Sequence, residues 1–169
     1  MPDLAARPAT IAVRPLEPAD ADACDTIVLS LPYHFGDEGG RRECARAVRE
    51  DDGLVAVAAG AVIGFLTVER HFAESAEITW LAVHADWRGR GAGRALVERL
   101  CADLRTERRR LLLVHTLGPS YDEGDVADGY AGTRAFYRAL GFIPAREYTT
   151  LWPGNPALLL VRSLREEPA

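Results

Sequence analysis

The 169-residue chain reads as a mixed α/β domain, and three observations predict that class. Short apolar or alternating runs bounded by Gly, Pro and Asp alternate with longer stretches of helical period. A Val-containing strand, Ile78 to Val83, runs directly into the glycine-rich stretch Arg88-Gly89-Arg90-Gly91-Ala92-Gly93, and an amphipathic helix leaves it. Nearly half the residues are apolar and about a quarter charged, so one core can form without disulfides or metals.

In chain order, Thr10 to Pro15 alternates as a first strand. Pro18 opens a helix to about Leu29, with Asp20 and Asp22 in its first turn. Leu31 to Gly40 is an aromatic and acidic loop, and Arg41 to Glu50 a second helix. Leu54 to Val68 carries no charge over fifteen residues, too short to span a bilayer comfortably, and Ala59-Gly60 divides it into a hairpin of Leu54 to Ala58 and Val62 to Glu69. Glu77 to Val83 is the strand before the glycine loop, and the helix after it runs from Ala92 to about Leu104. Leu111 to Thr116 is a short strand, and Gly118 to Gly129 a polar loop of a length that usually carries function. A helix over Ala131 to Leu140 precedes two closing strands, Phe142 to Thr150 and Ala157 to Leu164, joined through Trp152-Pro153-Gly154-Asn155-Pro156. No repeat or linker interrupts the series, so residues 1–169 read as a single domain with its core over about 10–165.

Several function classes are disfavoured by composition. A formal net charge of −5 argues against a general nucleic-acid binder. The basic run Arg105 to Arg110 ends a helix, where cations complement the dipole. Cys24, Cys44 and Cys101 are odd in number and far apart, which fits reduced thiols and a cytoplasmic protein. No metal spacing appears among them or among His34, His71, His84 and His115, and the first residues lack the pattern of an export signal.

The glycine stretch carries the chemistry. Without Cβ atoms the backbone can adopt positive φ, and amides from Gly89 to Arg94 can point at phosphate oxygens beside the positive end of a helix. A dinucleotide fingerprint would need glycine where Leu96 stands, and a P-loop needs a lysine, which the chain lacks. Arg88-Gly89-Arg90-Gly91-Ala92-Gly93 instead matches an Arg/Gln-x-x-Gly-x-Gly/Ala signature and resembles the GNAT superfamily of acyl-CoA-dependent N-acetyltransferases. Phe136-Tyr137-Arg138-Ala139-Leu140-Gly141-Phe142 is similar to that family's Phe-Tyr-x-x-x-Gly-Phe element, with Phe136 read as core packing and Gly141 as the residue ending the helix.

The resemblance extends over about residues 10 to 165. It implies the order β-α-α-β-β-β-α-β-α-β-β, a mixed central sheet of about seven strands flanked by about four helices, in an α/β (α+β) fold. Acetyl-CoA is the implied co-substrate, held through Arg88, Gly89, Arg90, Gly91, Ala92, Gly93 and Arg94, with the backbone of Leu81 to Val83 pairing with its pantetheine arm. A backbone amide of Val83 or Leu81 would meet the reaction's oxyanion. Tyr137 would act as general acid toward the departing thiolate, and Glu77, eleven residues before Arg88, as general base, with an ordered-water route as the alternative. Burial beside an apolar strand would raise the Glu77 pKa. The family's asparagine seven residues before the tyrosine is Tyr130 here, and its alanine four before is Thr133.

For the acceptor, a primary amine of a small molecule or peptide, the expected walls are Tyr33, Phe35, Tyr130 and Trp152. Asp122 and the neighbouring acids Glu38, Glu74, Glu123, Asp125 and Asp128 would favour a cation. A homodimer is compatible with the sequence. An inactive acyl-CoA sensor and a toxin that acetylates charged tRNA are the other functions this fold could carry.

Overall fold

The computed structural model of the chain describes residues 10–121 and 129–165. Its elements follow the expected order. They are β1 (Ala12–Pro15), α1 (Ala21–Leu29), α2 (Glu38–Glu50), β2 (Asp52–Ala58), β3 (Ala61–Phe72), β4 (Ser75–Val83), α3 (Ala92–Thr106), β5 (Leu111–Leu117), α4 (Ala131–Ala139), β6 (Ile143–Trp152) and β7 (Asn155–Ser163). The strands form one sheet in the order β1-β2-β3-β4-β5-β7-β6, antiparallel except between β4 and β5.

Two boundaries differ from expectation for local reasons. Pro18 to Asp20 forms a 3₁₀ turn before α1. Helix α2 starts at Glu38 because the Asp37 carboxylate accepts a hydrogen bond from the Gly40 amide at 2.7 Å and caps the first turn. Ala59 and Gly60 both take positive φ, 50° and 79°, which suits a two-residue hairpin between β2 and β3.

Helices cover both sheet faces. Leu96, Val97, Leu100 and Leu104 of α3, with Tyr137 of α4 and Leu140 at its C-cap, pack on one face against Ile63, Leu66, Ile78, Leu112, Val114 and Leu160. Cys24, Ile27 and Val28 of α1 and Cys44 and Val48 of α2 pack on the other against Val55, Phe65 and Ala82. Arg105 and Arg109 anchor more than they solvate. Arg105 donates to the Leu164 carbonyl, and Arg109 to the carbonyls of Phe72 and Ser75.

The register of β4 changes midway. Ile78 pairs with Val68 and Trp80 with Thr67, which leaves Thr79 as an extra residue in a β-bulge. Alternation therefore inverts. Ala76 and Ile78 face α3 before the bulge, whereas Leu81 and Val83 do so after it, and Trp80 and Ala82 turn toward α1 and α2. The Thr79 hydroxyl lies 2.7 Å from that of fully buried Thr67.

The strongest tie near the start of the chain is Arg14 on β1, whose guanidinium donates to both oxygens of buried Asp20 at 2.7 and 2.8 Å. The Asp20 carboxylate also accepts the Glu17 amide, and the guanidinium foremost holds its pKa below the ordinary value. A depressed folded pKa adds stability above the unfolded value of about 3.9, and that stability is lost as pH falls through the folded pKa. Asp20→Asn is expected to cost about 1–2 kcal/mol near neutral pH and to flatten the acid limb of the stability curve, as read by urea unfolding from pH 7 to pH 2.

Candidate active site

Among the described residues one strand pair is parallel, and the sheet divides there. Strands β4 and β5 are paired from Ser75 with Leu111 to Ile78 with Val114 and no further. Beyond this point β4 remains paired with β3 as far as Val83 opposite Gly64, and β5 with β7 as far as Leu117 opposite Ala157. The two halves of the sheet thus fork, with Thr79–Val83 on one arm and His115–Leu117 on the other.

The arm from β4 presents free backbone polarity to the fork. The His84 amide donates to the Ile63 carbonyl at 2.9 Å, which fixes His84, Ala82 and Trp80 as the residues bonded to β3. By the alternation of an antiparallel ladder, the N–H and C=O groups of Leu81 and Val83 point away from β3, toward the opening.

The glycine loop lies at the open end of that arm. Gly89 and Gly91 have φ of 73° and 91°, and no atom lies within 4 Å of where a Cβ would stand on either. Gly91 is the N-cap of α3 and supplies no side-chain cap, and the first helical bond runs from the Ala95 amide to the Gly91 carbonyl. The amides of Ala92, Gly93 and Arg94 therefore have no partner within the helix. Arg88, Arg90 and Arg94 are exposed around them, with the Arg90 guanidinium 5.0 Å from the centre of the Trp87 ring. Gly93 differs from its neighbours. A Cβ there would lie 3.1 Å from Cζ of Phe136, tighter than side chains ordinarily pack, so its small size serves the contact between α3 and α4, whereas the sequence expectation gave it the same role as Gly91.

Tyr137 lies in that contact. Helix α4 ends in a Schellman motif, the Phe142 amide donating to the Tyr137 carbonyl at 3.1 Å and the Gly141 amide to that of Arg138 at 3.0 Å, with Gly141 at φ 81°. The Phe142 and Tyr137 rings meet edge-on at 5.3 Å, and Phe136 meets Tyr137 at 5.1 Å. Tyr137 is the more buried of the helix's two aromatics, so it belongs to the core that sequence reasoning gave to Phe136. Burial pushes its phenol pKa up.

Glu77 stands at the closed end of the fork, one residue before the last β4–β5 pair. Its oxygens are shared by two imidazoles that the sequence had not joined to it, His115 Nδ1 at 2.6 Å from Oε1 and His71 Nε2 at 2.7 Å from Oε2. These bonds, that from His115 first, hold the Glu77 pKa below its ordinary value and outweigh desolvation. The expected upward shift is thereby corrected, because burial brought hydrogen-bond donors with it. The available signal was period. Glu77 on β4 and His115 on β5 both lie opposite the strand positions facing α3, so a parallel pairing of the two strands puts them on one face.

The residues expected to wall the acceptor site fall into two groups. Tyr33 and Tyr130 approach with ring centres 6.0 Å apart, the Tyr130 hydroxyl donates to the His34 carbonyl at 3.2 Å, and Phe35 lies 5.9 Å from Trp80. Trp152 lies instead near His115, at 6.2 Å, as does Tyr148. Glu38 pairs loosely with Arg42, while Glu74 is in the turn before β4, at the end remote from the opening, which removes it from the acceptor mouth. Asp122, Glu123, Asp125 and Asp128 lie outside the described residues.

Comparison with known proteins accords with this geometry. The model of the acetyltransferase (GNAT) domain matches residues 49–144, more than half of the chain. No curated protein gives a significant match. Among solved structures, one described as a GNAT-family acetyltransferase from Desulfovibrio desulfuricans is 22% identical, covers 92% of this chain and 100% of its own, and superposes with a TM-score of 0.78. The ribosomal-protein-S18-alanine N-acetyltransferase of Escherichia coli is 19% identical with a TM-score of 0.74, covering 94% of this chain and 97% of its own. An aminoglycoside 6'-N-acetyltransferase complexed with coenzyme A gives 14% and 0.70, covering 94% and 99%. Through the domain match and the fold it shares with these enzymes, the chain belongs to the GNAT family of acetyltransferases.

Proposed function

We propose that the protein transfers an acetyl group from acetyl-CoA directly to a primary amine while both substrates are bound. The observation that carries this reading is the fork between β4 and β5, with an uncapped, glycine-opened helix N-terminus at its mouth. The amides of Ala92, Gly93 and Arg94, the helix dipole and the exposed arginines suit a pyrophosphate. The outward N–H and C=O groups of Leu81 and Val83 suit the amides of a pantetheine arm, which would pair along β4 as an added strand and bring the thioester toward the closed end of the fork. Acetyl-CoA supplies the activated acyl carbon, and the chain supplies orientation and proton transfer.

Direct transfer is favoured by the state of the thiols. Cys24, Cys44 and Cys101 are free and fully buried, and burial pushes the first two up to about 12, so none offers a thiolate to carry the acetyl group. Buried free thiols also suit a cytoplasmic protein. Tyr137 stays protonated throughout the neutral range and holds a proton that the leaving thiolate can take. Glu77 is anionic there, on the side from which the amine would come. The two N-acetyltransferases similar in fold act, by name, on an alanine and on an aminoglycoside, both of which carry amines.

Incubation with acetyl-CoA and an amine panel, comprising a diaminoalkane, an arylethylamine, an aminoglycoside and a peptide with a free α-amine, is expected to yield at least one acetylated product by mass spectrometry. Coenzyme binding without any product would establish a sensor instead.

Gly91→Ala forces a side chain to φ near 91° at the anion cradle. Calorimetry should show coenzyme A affinity reduced about tenfold or more, with an apo stability loss of about 1–2 kcal/mol. Tyr137→Phe preserves the core shape and removes only the hydroxyl. It should lower kcat by about 10²–10⁴-fold and leave coenzyme affinity within about twofold, and a kcat near wild type would make Tyr137 a packing residue only.

A further inference from the structure

Among the described residues His115 has a position in this fold that no other ionisable side chain shares. It is the first residue of β5 beyond the last β4–β5 pair, on the sheet face of α1 and α2, and its ring bridges the crotch of the fork to Glu77. Because Glu77 is a carboxylate, Nδ1 must donate to it, and the neutral ring then keeps its lone pair on Nε2. Among the described residues Nε2 has no hydrogen-bond partner, and the side chain is about one-fifth exposed, so it is reachable. Glu77 is less well placed to take a proton itself, since each of its oxygens already accepts an imidazole N–H.

Resting on the acetyltransferase reading above, we propose that His115 is the general base of the reaction, removing the proton of the acceptor amine through Nε2, with Glu77 as the residue that positions it. The amine nitrogen bonds to the acetyl carbon, the carbon–sulfur bond breaks, the proton shed by nitrogen passes to Nε2, and the thiolate takes the Tyr137 proton. Proton exchange through solvent between imidazolium and phenolate restores both groups. The arrangement is that of a carboxylate-oriented histidine, in which the acid fixes the tautomer and stabilises the imidazolium without itself becoming protonated.

The groups facing His115 from its neighbours are few. On β4 there is Glu77, and on β3 His71, which shares that carboxylate and lies 3.9 Å from Glu69. On β6 there are Tyr148, covered by the Arg146 guanidinium at 4.7 Å, and the uncharged Trp152, while Leu159 of β7 is the strand partner. Among the described residues Glu77 is thus the one anion in direct contact with the ring.

The test compares His115→Asn, His115→Gln and Glu77→Gln with the wild type, using acetyl-CoA and the amine from the panel that is turned over best. For a base of this kind kcat/KM rises with pH through the imidazole range. Both His115 variants should abolish that limb and lower kcat by about 10²-fold or more, with coenzyme A affinity within about twofold by calorimetry. Glu77→Gln should keep the limb and lower kcat, because the ring loses the carboxylate that orients it. If Glu77 were the base, the pattern would reverse, the limb surviving in His115→Asn and vanishing in Glu77→Gln. Long-range ¹H–¹⁵N correlations on the coenzyme A complex give a readout independent of turnover. They should show neutral His115 as the Nδ1–H tautomer, and an Nε2–H tautomer would overturn the assignment. A wild type that acetylates none of the amines would overturn the acetyltransferase reading and this role with it, whereas wild-type turnover with an intact limb in His115→Asn would overturn this role alone.

Discussion

One extra residue in β4 organises the site. Had the strand continued without the bulge at Thr79, Trp80 and Ala82 would have pointed into the α3 core and Leu81 and Val83 toward α1 and α2. The inversion lets one strand carry a carboxylate at Glu77 on the face of α1 and α2 and, a few residues on, the apolar side chains of Leu81 and Val83 on the face of α3. It also coincides with the loss of pairing to β5. The bulge, the fork and the outward polarity of Leu81 and Val83 are therefore one structural event, pinned by the hydroxyl pair of Thr67 and Thr79.

The glycine loop depends on that event for its use. Gly89 and Gly91 leave open space in front of unpaired amides, but an anion held there would be only an anion at a helix end if the adjoining strand were fully paired. Because β4 is unpaired on the fork side, a ligand anchored at the helix can continue along the strand. Glu77, His115 and the aromatic rings of β6 lie on the opposite side of the sheet from α3. The fork is thus open to both faces of the sheet.

Most of the architecture was legible in the sequence because it rests on local signals: alternation in the strands, a proline at one helix start, a glycine after α4, and an Ala-Gly hairpin. The two motifs were legible for the same reason, being contiguous in the chain. What escaped was non-local. The histidines stand at no metal-ligand spacing, and although strand period places His115 on the same face as Glu77, the contacts of His71 and His115 with that carboxylate depend on strand pairing and a bulge. The direction of the Glu77 pKa differs from the sequence expectation for the same reason, burial being visible in the pattern and the donors that came with it not. Gly93 and Tyr137 show a further limit. Each carries a motif position and a packing duty at once, and a motif reports only the first.

The contact between Gly93 and Phe136 brings α3 and α4 closer than an alanine at position 93 would ordinarily pack. Tyr137 adjoins Phe136 in sequence and touches it ring to ring, so the first turn of α3 and the phenol are separated by a single aromatic side chain. The coupling is mechanical. A ligand that seats against the helix N-terminus would set the placement of the phenol through rigid packing rather than through a hydrogen-bond chain, and errors in one would be transmitted as errors in the other. The two motifs, more than forty residues apart in the chain, would then drift together or not at all as sequences diverge.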